Sequence, residues 1–197
     1  MKPYVFGHRG ASGYEIENTI PSFRKAIELG AGIETDIQMT VDNKLICFHD
    51  PIIKIGIEYF YPSKITYEEL TQLKFEDKRK VPLIKDVFQI FMNESHNIRY
   101  SFDIANRKVG LELIHLAQEN NLIDVIEISD MRIGILSSLR KKNDSVKLIN
   151  TNIGNLTRIN NQTLNIDRLK DHQISTINIR YKRNVATLFK DIIDNDF

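Results

Sequence analysis

Cysteine is almost absent from this sequence, with Cys47 the only one. That excludes an intrachain disulfide and a cysteine-based metal site. The residue lies in the apolar run Leu45-Ile46-Cys47-Phe48, which suits a small buried thiol. Net charge is nearly absent too. Lys and Arg number 27 against 26 Asp and Glu, a formal charge of +1, so nothing here steers the chain toward nucleic acid or an anionic membrane surface. The most basic short run, Arg140-Lys141-Lys142, reads as a solvated face at a helix end, where positive charge suits the dipole. Long apolar runs are also missing. No segment approaches the roughly 20 residues needed to cross a bilayer, and the first residues pass into a strand pattern with no apolar leader or small-residue cleavage site. The expectation is a cytoplasmic protein with no transmembrane segment and no nucleic-acid partner.

What is present is an alternation of strand-like and helix-like segments, the signature of a parallel α/β sheet. Residues 5–8 read as a strand. Thr19 then caps a helix that tolerates Pro21 in its first turn, buries Phe23, Ala26 and Ile27, and stops at Gly30. Residues 32–39 read as the second strand. The turn dipeptide Asp42-Asn43 predicts a hairpin back through residues 45–48. The stretch 51–80, with a helix near 67–73, is too long for an ordinary loop and reads as a small insertion. Further strands are expected at 99–104, 125–128, 146–149 and 175–179. Helices are expected after Val81-Pro82 and over 109–120, 132–142, 164–171 and 185–193. The whole chain, 1–197, reads as one domain with six βα units, and it shows no internal repeat.

Four clusters near strand ends carry chemistry. His8-Arg9-Gly10 can set an acid/base group and a phosphate-binding fork in one turn; taken alone it is also an unremarkable strand-to-loop turn. Glu34-Thr35-Asp36 places two carboxylates on one face of an otherwise apolar strand. Like charges held side by side need neutralising, by a hard divalent cation or by a basic side chain. His49-Asp50 follows the hairpin return. With the turn at Asp42-Asn43 the count sets Asp36 opposite His49, so that Glu34, Asp36 and His49 converge; a slip of one residue breaks that inference. Asp103 interrupts the apolar strand Tyr100-Ser101-Phe102-Asp103-Ile104 and is a candidate third oxygen ligand. His96, His115 and His172 read as surface or packing residues.

The ordered set His8-Arg9-Gly10, Glu17-Asn18-Thr19, Glu34-x-Asp36 and His49-Asp50, followed by the insertion and by Val81-Pro82-Leu83, resembles the glycerophosphodiester phosphodiesterase family. The resemblance implies a TIM-type (β/α)8 barrel with its site at the C-terminal ends of the strands. It implies one divalent cation, Mg2+ or Ca2+, on Glu34, Asp36 and Asp103, with His8 and His49 as the acid/base pair. Arg9 would hold the phosphate, and Glu17 and Asn18 would support the site. It implies a small glycerophosphodiester as substrate, released as glycerol 3-phosphate and an alcohol.

Three departures stand against the family pattern. Many members carry Glu-x-Lys on the third strand, where this chain has Asp103 and Ala105; Arg107 or Lys108 are candidates to compensate. The tryptophan usual late in the chain is missing, since the sequence has none. Six units stand where a closed barrel needs eight, which implies a truncated barrel whose open sheet edges offer a route to self-association. Two alternatives follow: a lysophospholipase D, with Tyr59-Phe60-Tyr61 against an acyl chain, or a non-catalytic barrel that binds metal, phosphate or a partner.

Overall fold

The computed structural model describes residues 4–93, 98–152, 158–174, 176–179 and 185–194. His96 and the first residue of the strand expected at 175–179 lie outside them. The chain packs as two compact units, Met1–Ile126 and Glu127–Phe197. No helix among the described residues is long and apolar enough to cross a membrane.

The first unit opens with strand β1 (Phe6–His8) and helix α1 (Ile20–Glu28), then strand β2 (Gly32–Met39). Thr19 caps α1 by accepting from the backbone N–H of Ser22, Pro21 sits in the first turn, and Gly30 ends the helix at φ +76, as the sequence predicts. Strand β3 (Leu45–Cys47) returns antiparallel to β2. The insertion follows as strands β4 (Ile53–Ile55) and β5 (Glu58–Phe60), a 3-10 turn (Pro62–Lys64) and helix α2 (Tyr67–Gln72). Gly56, at φ +60, supplies the positive φ that the two-residue link between β4 and β5 requires. Thr66 and Glu69 cap α2 reciprocally. Helix α3 (Ile84–Asn93), strand β6 (Tyr100–Ile104) and helix α4 (Arg107–Glu119) complete the unit.

β1 and β6 both run parallel to β2, paired His8 with Glu34 and Asp36 with Asp103. The alternation in β2 and β6 decides which side faces the helices. Ile33, Ile37, Tyr100, Phe102 and Ile104 are all buried, and Phe102 packs against Phe88 of α3 at 6.3 Å between ring centroids. Burying a side chain such as Phe102 contributes about 1.5–3 kcal/mol. The opposite parity, His8, Glu34, Asp36, Ser101 and Asp103, therefore shares the other face. The insertion has its own core: Ile53, Leu70 and Val81 pack with Ile46 and Phe48 of the hairpin, flanked by Phe60 and Phe75. Phe60 is thus a packing residue, whereas Tyr59 and Tyr61 are exposed, with Lys54 and Lys64 over their rings.

The second unit begins at Glu127 within strand β7 (Ile126–Asp130) and continues through helix α5 (Ile133–Arg140), strand β8 (Lys147–Asn152), helices α6 (Asn161–Leu164) and α7 (Ile166–Asp171), strand β9 (Thr176–Ile179) and helix α8 (Val185–Asp194). β7, β8 and β9 pair in parallel. Residues 164–171 are not one helix. Asn165 takes a left-handed φ of 51 and separates α6 from α7. Arg140 is no solvated charge either: its guanidinium donates to the carbonyls of Asn143, Val146 and Gln173.

The hairpin corrects the expected register. Ile37 pairs with Cys47 and Met39 with Leu45, so Asp36 lies opposite Phe48 rather than His49. The loop holds three residues, not two. Asn43 adopts φ 59, and Thr40 exchanges hydrogen bonds with Lys44 and accepts from the Asn43 N–H, the pattern of a type I turn closed by a left-handed residue. Lys108 donates to Asn43 Oδ1 at 2.6 Å. Replacing Asn43 with Gly is expected to leave stability nearly unchanged, whereas Asn43→Val should lower it by about 1–2 kcal/mol, read from urea unfolding. Equal stability of both variants would contradict the left-handed assignment.

Candidate active site

Glu34, Asp36 and Asp103 bring one carboxylate oxygen each to within 4.8 Å of one another. The arrangement follows from register: Glu34 and Asp36 are two apart on β2, and Asp103 is the lateral neighbour of Asp36 on β6. The cluster is half-buried and its charges reinforce one another. Burial and the facing carboxylates of Asp36 and Asp103 push the Glu34 carboxyl up to about 8 from its ordinary 4.5, against the opposing pull of the Arg9 N–H and guanidinium.

Arg9 is held at the lip of this cluster by its backbone. It adopts a left-handed φ of 56, a conformation costing a side-chain-bearing residue about 1–2 kcal/mol. Three hydrogen bonds fix it. Its N–H donates to Glu34 Oε2 at 2.9 Å, and its carbonyl accepts from the Asn18 N–H at 2.9 Å and from Ser22 Oγ at 3.0 Å. Gly10 cannot be replaced beneath it, because at φ +81 a Cβ would lie 2.3 Å from Ser22 Oγ. The Arg9 guanidinium reaches both oxygens of Glu17, at 3.1 and 3.3 Å. Its Nε lies 3.2 Å from Asp36 Oδ2 but out of line, so this buried N–H is ion-paired without being hydrogen-bonded.

Asn18 is buried and itself left-handed, at φ 54. Its carboxamide accepts from Thr35 Oγ1 at 2.6 Å and donates to Asp36 Oδ2 at 3.3 Å, so it orients one of the three carboxylates. His8 is mostly exposed, with Nε2 4.0 Å from Glu34 Oε2. His49 lies beyond the end of β3, its Nδ1 2.7 Å from Asp50 Oδ1. It reaches this position without the predicted pairing. The Phe48 N–H donates to the Asp36 carbonyl, and Gln38 Nε2 donates to the carbonyls of Phe48, His49 and Asp50 at 3.1, 3.0 and 2.6 Å.

The sequence reading missed Gln38, although the i, i+2, i+4 spacing from Glu34 and Asp36 places it on the same face. It also missed Arg79, which carries no sequence signal; its guanidinium stands over the Phe48 ring and 3.9 Å from Glu17. Lys108 does not replace the missing third-strand lysine, since its amine is bound at the hairpin. His115 is on the exposed face of α4 beside Glu119, and His172 lies 3.3 Å from Ser137 Oγ in the second unit. A cavity of about 350 Å3 lined by Glu17, Phe48, Asp50, Ile53, Phe75 and Arg79 adjoins the His49 segment.

Three carboxylates at strand ends, with the Arg9 guanidinium and His8 beside them, form a group that could hold a metal ion. The model of the glycerophosphoryl diester phosphodiesterase family matches residues 8–186, and the chain belongs to that family. A glycerophosphodiester phosphodiesterase from Caldanaerobacter subterraneus subsp. tengcongensis is 32% identical over 161 residues, covering 75% of this chain and 66% of that protein. Human lysophospholipase D is 23% identical over 158 residues, covering 72% and 49%. A phosphodiesterase from Oleispira antarctica, solved in complex with the product sn-glycerol-3-phosphate, superposes with a TM-score of 0.75 at 17% identity, covering 90% of this chain and 74% of that one. The chain thus spans about half to two thirds of the length of these two curated relatives. Its fold is α/β, of the TIM-barrel type, with six βα units among the described residues and a small insertion after the second strand.

The Glu34 carboxyl sets a pH dependence. Its folded value, about 8, exceeds the ordinary 4.5, so the folded state keeps a proton that the unfolded state releases between those limits. Stability of the metal-free chain should therefore fall as pH rises from about 4.5 to 8, by on the order of a few kcal/mol. Melting curves in EDTA at pH 5, 6.5 and 8 measure it, and Glu34→Gln should flatten the trend. A metal-free melting temperature independent of pH would contradict the burial of this charge.

Proposed function

We propose that the chain hydrolyses glycerophosphodiesters to glycerol 3-phosphate and an alcohol, with the help of one divalent cation. The observation that carries this reading is the convergence of three carboxylates beside a backbone-fixed arginine. The donor set fits the cation: three oxygens within one coordination sphere suit a hard ion such as Mg2+ or Ca2+, and burial together with the facing carboxylates of Asp36 and Asp103 disfavours the charged form of Glu34, which a bound cation would offset. Glu34, Asp36 and Asp103 would hold it, and when bound it would neutralise phosphate charge in the transition state.

The remaining roles fall to side chains of fixed placement. Arg9 presents a planar fork to the phosphate, held by Glu17. Asn18 keeps Asp36 in place. His8 and His49 serve as the acid/base pair, one taking the proton of the attacking hydroxyl and the other protonating the departing alcohol oxygen. For His49 the hydrogen bond from Nδ1 to Asp50 leaves Nε2 as the nitrogen that exchanges the proton. The buried single cysteine and balanced charge fit work in the cytoplasm.

A second reading, cleavage of lysophospholipids in the manner of a lysophospholipase D, is favoured by a cavity of about 450 Å3 beside the start of α1, whose wall combines apolar residues such as Ile16, Ile20 and Pro82 with the charged Glu15, Lys78, Arg79, Lys80 and Asp86. Release of glycerol 3-phosphate from glycerophosphocholine, set against choline release from lysophosphatidylcholine, separates the two. Release is expected with Mg2+ or Ca2+, abolished by EDTA, and reduced about 10²–10⁴-fold by His8→Ala. No release from either substrate by the folded chain would leave the non-catalytic alternative, with Ala105 as its first explanation.

A further inference from the structure

Arg79 lies at the end of the insertion, far along the chain from the His8-Arg9-Gly10 turn, yet its guanidinium closes a relay of alternating charge onto that turn. Asp77 fixes Arg79: it accepts from the Arg79 N–H at 3.1 Å and from Nε at 2.8 Å, and its Oδ2 lies 2.6 Å from Nη2. Arg79 Nη1 stands 3.9 Å from Glu17 Oε1. Glu17 accepts from Arg9 Nη1 through both oxygens. The Arg79 guanidinium also lies over the ring of Phe48, 5.9 Å from its centroid, and Phe48 is next to His49 in the chain.

We infer that Arg79 is a positioning residue for phosphate recognition, acting through Glu17 on Arg9, and that the insertion thereby tunes how tightly the site holds a phosphate. The inference rests on the reading of Arg9 as the phosphate ligand. Its physical basis is charge sharing. Glu17 and Asp36 both face the Arg9 guanidinium, so Arg9 alone meets a phosphate with its charge already compensated. A second cation near Glu17, itself shared with Asp77, offsets part of the negative charge that Glu17 places on Arg9. It also adds a second, more distant contact to a glutamate that Arg9 already holds through both oxygens, which favours one orientation of the arginine fork. A lysine could keep the charge at position 79 but not the fork that binds Asp77 and reaches Glu17 together.

The test is affinity for sn-glycerol 3-phosphate, measured by calorimetry on the full chain with Mg2+ present, in parallel with turnover of glycerophosphocholine. Arg79→Ala should weaken binding about tenfold and raise KM similarly with a smaller change in kcat, Arg79→Lys should fall between, and melting temperatures should stay near that of the unaltered chain. Arg79→Ala combined with Glu17→Gln should weaken binding by clearly less than the product of the two single effects, because both act through one contact. Strictly multiplicative effects, or unchanged affinity in Arg79→Ala, would overturn the relay. An unaltered chain that binds glycerol 3-phosphate without turnover would defeat the phosphodiesterase reading and still measure the relay; one that binds none would overturn both.

Discussion

The pairing of Asp36 with Asp103 across two parallel strands is the constraint on which the site depends. It places two carboxylates side by side on the face where Glu34 already stands one residue pair below. No arrangement of apolar packing makes this favourable in itself. The helix-facing side of the same strands, Ile33, Ile37, Phe102 and Ile104, supplies the burial that holds the strands in register. Hydrophobic packing on one face thus sustains electrostatic repulsion on the other, and a register slip of one residue would exchange the two faces.

The edge of β2 is shared in a way that brings the remaining groups to the triad. β1 pairs along it as far as Glu34, and β3 takes over from Ile37 onward. Since β6 also pairs with Ile37, β3 must lie on the side that β1 vacates. The gap between them, at residues 34–36, is where both connecting turns meet β2: the Gly10 N–H donates to the Glu34 carbonyl and the Phe48 N–H to the Asp36 carbonyl. His8-Arg9 and Phe48-His49 therefore flank the carboxylates because two strands end there. Gln38 then pins three successive carbonyls of the His49 segment with a single amide.

Much of this was legible in the sequence. The strand and helix alternation, the caps at Thr19 and Gly30, the insertion and the Glu34-x-Asp36 pair all rest on local rules that tertiary packing did not override. The hairpin register was not legible, because Asp42-Asn43 suits either a two-residue or a three-residue loop, and only the left-handed Asn43 decides between them. The break at Asn165 is the same kind of event, a single backbone conformation that no periodicity announces. Arg79 was invisible for a different reason. Its pairing with Glu17 is made by the fold of the insertion, and no spacing encodes it.

The substitution of Ala105 at the usual lysine position can now be placed in physical terms. Lys108, the nearest lysine in sequence, is bound to Asn43 at the hairpin, and in the proposed function Arg9 is the cation assigned to the phosphate. Arg9 in turn faces two carboxylates, Glu17 at hydrogen-bonding distance and Asp36 as a misaligned ion pair. A bound cation on Asp36 would withdraw one of these, and Arg79 partly withdraws the other. The insertion and the cation then act on the same arginine from opposite sides, so that loss of one positive side chain on the third strand need not leave the phosphate without a partner. In this arrangement the insertion belongs to the electrostatics of the site as much as to the packing around it.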